Sequence, residues 1–222
     1  MPNSLDLKPI LLYLTELSQH NAKPWFDAHR SAYESARGIF EQCITRIIDQ
    51  FRESDQLDDL TANACIARIF RDIRFSADKS PYKTNFAAVV GPGGWKGTSL
   101  GYYIALEPHG RSMVAGGLYR PAPAQLDRFR QAIDTNAAAF TQIMAAPAFV
   151  DAFGTIEGER LKSAPKGYDR AHPDIALLQL KQITVVHRFS DQEVAGRDFE
   201  RQVVSHCRAM KPFLAYLEEI TQ

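Results

Sequence analysis

The densest chemistry in the chain lies between residues 68 and 84. Here Arg68, Arg71, Arg74, Lys79 and Lys83 are interleaved with Asp72, Asp78 and Tyr82. A planar guanidinium recognises a carboxylate or phosphate through two parallel hydrogen bonds. Arginines with donors to spare therefore make an anion-binding pocket, and Lys79, Tyr82 and Lys83 add ammonium and phenol donors at the same mouth. In an enzyme built this way, Asp72 or Asp78 is the acid–base candidate and the arginines stabilise developing negative charge. The competing reading gives these residues no ligand. Asp72 and Asp78 then neutralise the guanidiniums, and the cluster is an internal salt-bridge network of a non-catalytic structural or protein-interaction domain. A third reading has nucleic acid bound locally, with Tyr82 or Trp95 stacking on bases. The balance of 26 basic and 26 acidic residues argues against it, since phosphate-backbone binders usually carry a basic excess. The expected partner is an anionic small molecule.

Two local geometries are open. Cys65 to Phe70 alternates as a strand does. If residues 65–75 stay extended, Arg68, Asp72 and Arg74 share one face, and Arg71 points the other way, where it needs a buried partner. If the strand ends near Phe70, a turn at Arg71-Asp72 gathers the arginines. Ser80-Pro81 fixes an extended or turn geometry, and Asp78 suits an Asx-type turn.

The elements that hold this stretch follow from periodicity. Leu5, Ile10, Leu11, Leu14 and Leu17 recur at helical spacing, with Pro9 in the first turn and His20-Asn21 as the stop. Pro24 opens a second helix expected to run to about Arg52, roughly 40 Å, with Gly38 as its weak point. Trp25 and Phe26 read as core anchors rather than a ligand platform. Phe86 to Val90, Leu100 to Leu106 and Ser112 to Leu118 are strands joined by Gly/Pro turns, an antiparallel meander. Gly91-Pro-Gly-Gly-Trp-Lys-Gly reads as a strand-to-strand turn, because it lacks the Gly-Lys-Ser/Thr ending of a phosphate loop. Helices are expected from Pro123, from a Thr135 cap, from Pro147 to Gly154, and from Pro173 through Leu180. Ile183 to Phe189 is a strand, Ser190 and Glu193 form a capping box, and a last helix starts at Phe199 with a kink or restart at Pro212. This order predicts one α+β domain over residues 1–222. Its sheet is mainly antiparallel, a meander at about 65–118 plus a strand at about 183–189, packed with N- and C-terminal helices.

At 222 residues, with 45% hydrophobic and 23% charged, the chain can build a full core. Cys43, Cys65 and Cys207 show no Cys-x-x-Cys spacing, which points to a reduced, cytoplasmic protein without a disulfide framework. The apolar run from Ile10 to Leu17 is too short to span a bilayer, so no membrane is expected. The six histidines lack metal-ligand spacing, and no dinucleotide fingerprint is present. No metal and no cofactor are therefore expected. His187 reads as a structural histidine. Lys166, in an irregular segment after Pro165, either lends its ammonium to the ligand site or sits on an ordinary turn.

Arg68-x-x-Arg71-Asp72-x-Arg74-Phe75 followed by Asp78-Lys79-x-x-Tyr82 resembles the signature of a bacterial and fungal family of conserved hypothetical proteins, a domain of unknown function of about this length. Asn21-x-Lys23-x-Trp25-Phe26 and Tyr33 resemble its N-terminal pattern, and Gly116-Gly117 and Pro165-Lys166-Gly167 its later ones. The resemblance spans nearly the whole chain. It implies a single α+β domain and carries no activity with it.

Overall fold

The computed structural model describes residues 4–156 and 158–221. Its strands are β1 (Phe86–Val90), β2 (Tyr102–Leu106), β3 (Ser112–Leu118) and β4 (Ile183–Phe189), which lie in the order β1-β2-β3-β4 in one antiparallel sheet. The expected α+β class is what forms. β1 and β2 pair in register from Phe86 opposite Leu106 to Val90 opposite Tyr102. The chain makes two compact units, Met1–Val114 with Arg188–Ser205, and Ala115–His187 with His206–Gln222.

In the first unit α1 (Lys8–Gln19) carries Pro9 in its first turn and buries Ile10, Leu14 and Leu17, a stripe at helical spacing. The long helix expected after Pro24 is instead two helices, α2 (Lys23–Ala28) and α3 (Arg30–Phe51). The break falls at His29, not at Gly38. His29 leaves helical geometry at φ −110° and ψ 22°. Its backbone N–H bonds the Trp25 and Phe26 carbonyls, and its ring stacks on Trp25 at 4.1 Å. These contacts end α2 as a cap does. α3 lays Phe40, Ile44, Ile47 and Phe51 into the core, with Phe40 5.7 Å from Phe86 of β1. α4 (Ala62–Cys65) is a single turn capped by Thr61, whose Oγ1 accepts from the Ala64 N–H.

In the second unit α5 (Pro123–Asn136), α6 (Ala138–Ala145) and α7 (Pro147–Phe153) follow β3. α5 runs past Thr135. The N-cap of α6 is Ala137, which has no capping side chain; Asn136, the last residue of α5, accepts the Ala138 N–H on its Oδ1. α8 is only Ile175–Leu178, shorter than the helix expected through Leu180, because Leu180 instead bridges to Arg160. Ser190 and Glu193 close their capping box at the start of α9 (Asp191–Val194). α10 (Phe199–Thr221) continues through Pro212. Phe140 and Phe149 pack on Phe213 at 5.9 and 5.6 Å. Gly117, in β3, is required twice over. Its φ is +114°, and a Cβ there would sit 2.1 Å from the Ile183 carbonyl oxygen of β4.

Candidate anion-binding site

The expected strand over Cys65 to Phe70 does not form as such. Cys65 ends α4, and two isolated antiparallel bridges follow, Ile66 opposite Ala88 and Phe70 opposite Tyr82. Ala67 donates its N–H to the Ala87 carbonyl at 2.8 Å, so the segment first runs along β1. It then pairs with residues 81–83, as Arg71 N–H donates to Pro81 O at 2.9 Å and Lys83 N–H to Ile69 O at 2.8 Å. The pairing stops there. Pro81 has no N–H to extend the ladder, and residues 71–79 offer too little apolar surface to hold a strand. Of the two open geometries, the turn after Phe70 is the one adopted.

That turn gives each arginine a different fate. Arg71 is mostly buried. Its Nη1 donates to Asp78 Oδ2 at 2.5 Å and to the Ser80 carbonyl at 3.1 Å, and its Nη2 reaches Ser76 Oγ at 3.4 Å. Asp78 also accepts from the Ser80 hydroxyl and N–H at 2.6 and 2.9 Å. Ser80 first, then Arg71, hold its carboxyl down to about 2. Arg74 lies in solvent, gripped two ways by Asp72 at 2.9 and 2.6 Å. The same bonds lower the Asp72 pKa, with a smaller contribution from the charge of Arg68, and the bond to Asp72 raises that of Arg74. Lys79 donates to the Ile73 carbonyl at 3.0 Å. Asp72 and Asp78 thus spend their oxygens on residues of their own loop.

Tyr82 is a buried pillar beneath this loop. Its ring stacks on Phe26 at 4.1 Å and 13°. Its backbone is clamped on both sides by Asn21, whose Nδ2 donates to Tyr82 O at 2.9 Å while Oδ1 accepts from Tyr82 N–H at 3.0 Å. A side-chain amide here imitates the neighbouring strand that the segment lacks. Asn21→Ala is expected to cost about 1–3 kcal/mol, the desolvation penalty of a polar group left unpaired. A urea unfolding curve would show it. A loss below a few tenths of a kcal/mol would mean that water replaces the amide at no cost.

Two cations have no such partner. Arg68 is exposed, and among the described residues it makes no hydrogen bond or ion pair. Lys83 is half-buried, with its ammonium 5.5 Å from the Trp95 ring centroid. Burial, then the charge of Arg68, lower its pKa. No carboxylate neutralises it among the described residues. Trp95 is placed by a 3-10 turn, Gly94–Lys96, in the loop between β1 and β2. Gly94 at φ +59° lets that turn close on α4, since a Cβ would meet the Ala64 carbonyl oxygen at 2.7 Å. The sequence reading placed Trp95 only as a base-stacking candidate and not beside Lys83. Nothing in residue spacing joins positions 83 and 95.

A family model described as conserved hypothetical protein (DUF2461) matches residues 9–216. The chain belongs to the DUF2461 family. No curated protein and no solved structure matches it. In this family member Lys166 lies in the second unit, exposed on the turn after Pro165. His187, also in that unit, donates Nδ1–H to the Ala152 carbonyl at 2.9 Å and packs on His206 at 3.8 Å between ring centroids. All three cysteines are buried. Burial pushes the Cys65 thiol up to about 11, out of the range of a reactive thiolate. Among the described residues no three His, Cys, Asp or Glu side chains gather as a metal site, and no helix is long and apolar enough to cross a membrane.

Proposed function

We propose that this protein binds an anion, a phosphate or carboxylate compound, between Arg68 and Lys83, with Trp95 behind the lysine. The observation that carries the reading is the pair of cations itself. A half-buried ammonium with no carboxylate beside it, next to an exposed guanidinium whose neighbouring carboxylate, Asp72, already holds Arg74, is an electrostatic cost in the free protein. A bound anion removes that cost and accepts hydrogen bonds from both groups. The alternative, a purely internal salt-bridge network, is favoured by the Arg71–Asp78 and Arg74–Asp72 pairs. It accounts for those four residues, reaches Arg68 only through the charge of Asp72, and leaves Lys83 unexplained. The network is better read as the frame of the site, with Asp72 and Asp78 orienting arginines rather than moving protons.

The test is thermal unfolding with and without pyrophosphate across a pH series. Lys83 has a folded pKa below its unfolded value. Its cost is therefore in force at neutral pH and is relieved as pH rises through the folded pKa towards 10.5. Stability of the free protein should rise over that window. Pyrophosphate at a hundredfold excess over its Kd should add about 2.7 kcal/mol at neutral pH and flatten the rise. Lys83→Met should remove both effects. Equal unfolding temperatures with and without pyrophosphate would overturn the proposal.

A further inference from the structure

We infer that the anion this site takes is the phosphate backbone of a single-stranded nucleic acid whose bases stack on Phe70, Phe75 and Trp95; the inference rests on the anion-binding reading above. Large apolar side chains are seldom left in water, yet Phe75 is 96% exposed, Phe70 56% and Trp95 41%. Phe70 and Phe75 belong to the stretch that carries the cations, and Trp95 comes to Lys83 from the loop between β1 and β2. Two of them have a cation close by. The Arg74 guanidinium lies 5.9 Å from the Phe75 ring and the Lys83 ammonium 5.5 Å from the Trp95 ring. Arg68 precedes Phe70 by two residues on the extended strip that pairs with Tyr82 and Lys83.

Alternating ring faces and cations along an open surface is how sequence-tolerant single-strand binders work. The bases supply π-faces, and the phosphates reach Arg68 and Lys83. A duplex hides its base faces, so exposed phenyl rings gain nothing from it. A compact phosphate would occupy Arg68 and Lys83 and leave the rings in water. Neutral net charge, which weighs against a broad phosphate binder, is a sum over the whole chain. It says little about a strand that meets only the local unpaired cations.

The test is fluorescence anisotropy with labelled oligothymidylate and oligouridylate of about twelve nucleotides, within the span of known single-strand sites. A duplex of the same length, acidic phospholipid vesicles and unlabelled pyrophosphate serve as comparisons. Single strands should bind. Two phosphate contacts should give a slope of about −1.4 in log K against log salt, at about 0.7 per phosphate. Phe75→Ala should weaken binding about five- to 150-fold, the usual range for loss of one stacked base, with thermal stability unchanged. The deoxyribo and ribo arms tell which strand is preferred. If pyrophosphate binds but oligonucleotides bind no more tightly and Phe75→Ala changes nothing, the anion reading stands and this inference falls. If neither binds, both fall. Duplex bound as well as single strand, or binding to vesicles alone, overturns the inference as well.

Discussion

Phe26→Ala is expected to destabilise the protein by about 3–5 kcal/mol, the range for removing a phenyl ring from a packed core. Phe26 is 2% exposed, and Tyr82 at 4.1 Å, Tyr33 at 5.0 Å and Phe70 at 6.4 Å surround its ring. The loss should not stay local. Tyr82 stands opposite Phe70, and the hydrogen bonds flanking that pair tie residues 69–71 to residues 81–83. Take away the ring under Tyr82, and the strip that presents Arg68 and Lys83 loses its floor. Urea denaturation gives the size of the effect. Hydrogen exchange at the Arg71 and Lys83 amides shows whether the strip opens first. If the variant does not fold, Phe26→Leu, which keeps most of the volume, should fall between it and the parent. A cost below about 1 kcal/mol for Phe26→Ala would show that the neighbours collapse into the gap, and that the stack is not what holds the loop.

Arg71→Ala is the second large effect, expected at about 2 kcal/mol. Arg71 is the only one of the three arginines with a mostly buried side chain, 26% exposed, and it joins Asp78, the Ser80 carbonyl and Ser76 across the base of the loop. Hydrogen bonds to a charged group contribute about 1.5–3 kcal/mol. The lower part of that range applies because Asp78 is 61% exposed and largely screened by water. Arg74→Ala makes the matched control. Both members of the Arg74–Asp72 pair are mostly in solvent, at 76% and 61%, so its loss should cost far less than that of Arg71. Thermal unfolding of the two variants side by side is enough. Equal effects would mean that burial does not separate the two arginines, and the idea of Arg71 as the brace of the loop would be lost.

The residues of the candidate site were legible in the sequence, and their division of labour was not. Arg68, Arg71 and Arg74 look alike as letters three positions apart. What distinguishes them is the turn after Phe70, which places Asp78 against Arg71 and leaves Asp72 for Arg74. Lys83 read as one more ammonium at the mouth, yet it faces Trp95 and stands beside Arg68 without a carboxylate. Tyr82 read as a phenol donor and is a buried ring stacked on Phe26. Its partner Asn21 lies 61 residues away in sequence, beyond the reach of any local pattern.

The same division holds for the fold. Periodicity alone determined the strands β1 to β4, the stripes of α1, α3 and α10, the Ser190–Glu193 capping box and the α+β order, because each is written in a pattern of residues close together in sequence. Composition alone determined that a core could form. Only tertiary structure decided that the helix after Pro24 breaks where His29 stacks on Trp25, and that residues 66–71 bridge to two partners instead of making a strand. It also decided which cations of the 68–84 stretch are consumed. Whether a charge is spent depends on what lies across space from it: the carboxylate near Arg68, Asp72, is bonded to Arg74, and no carboxylate neutralises Lys83 among the described residues.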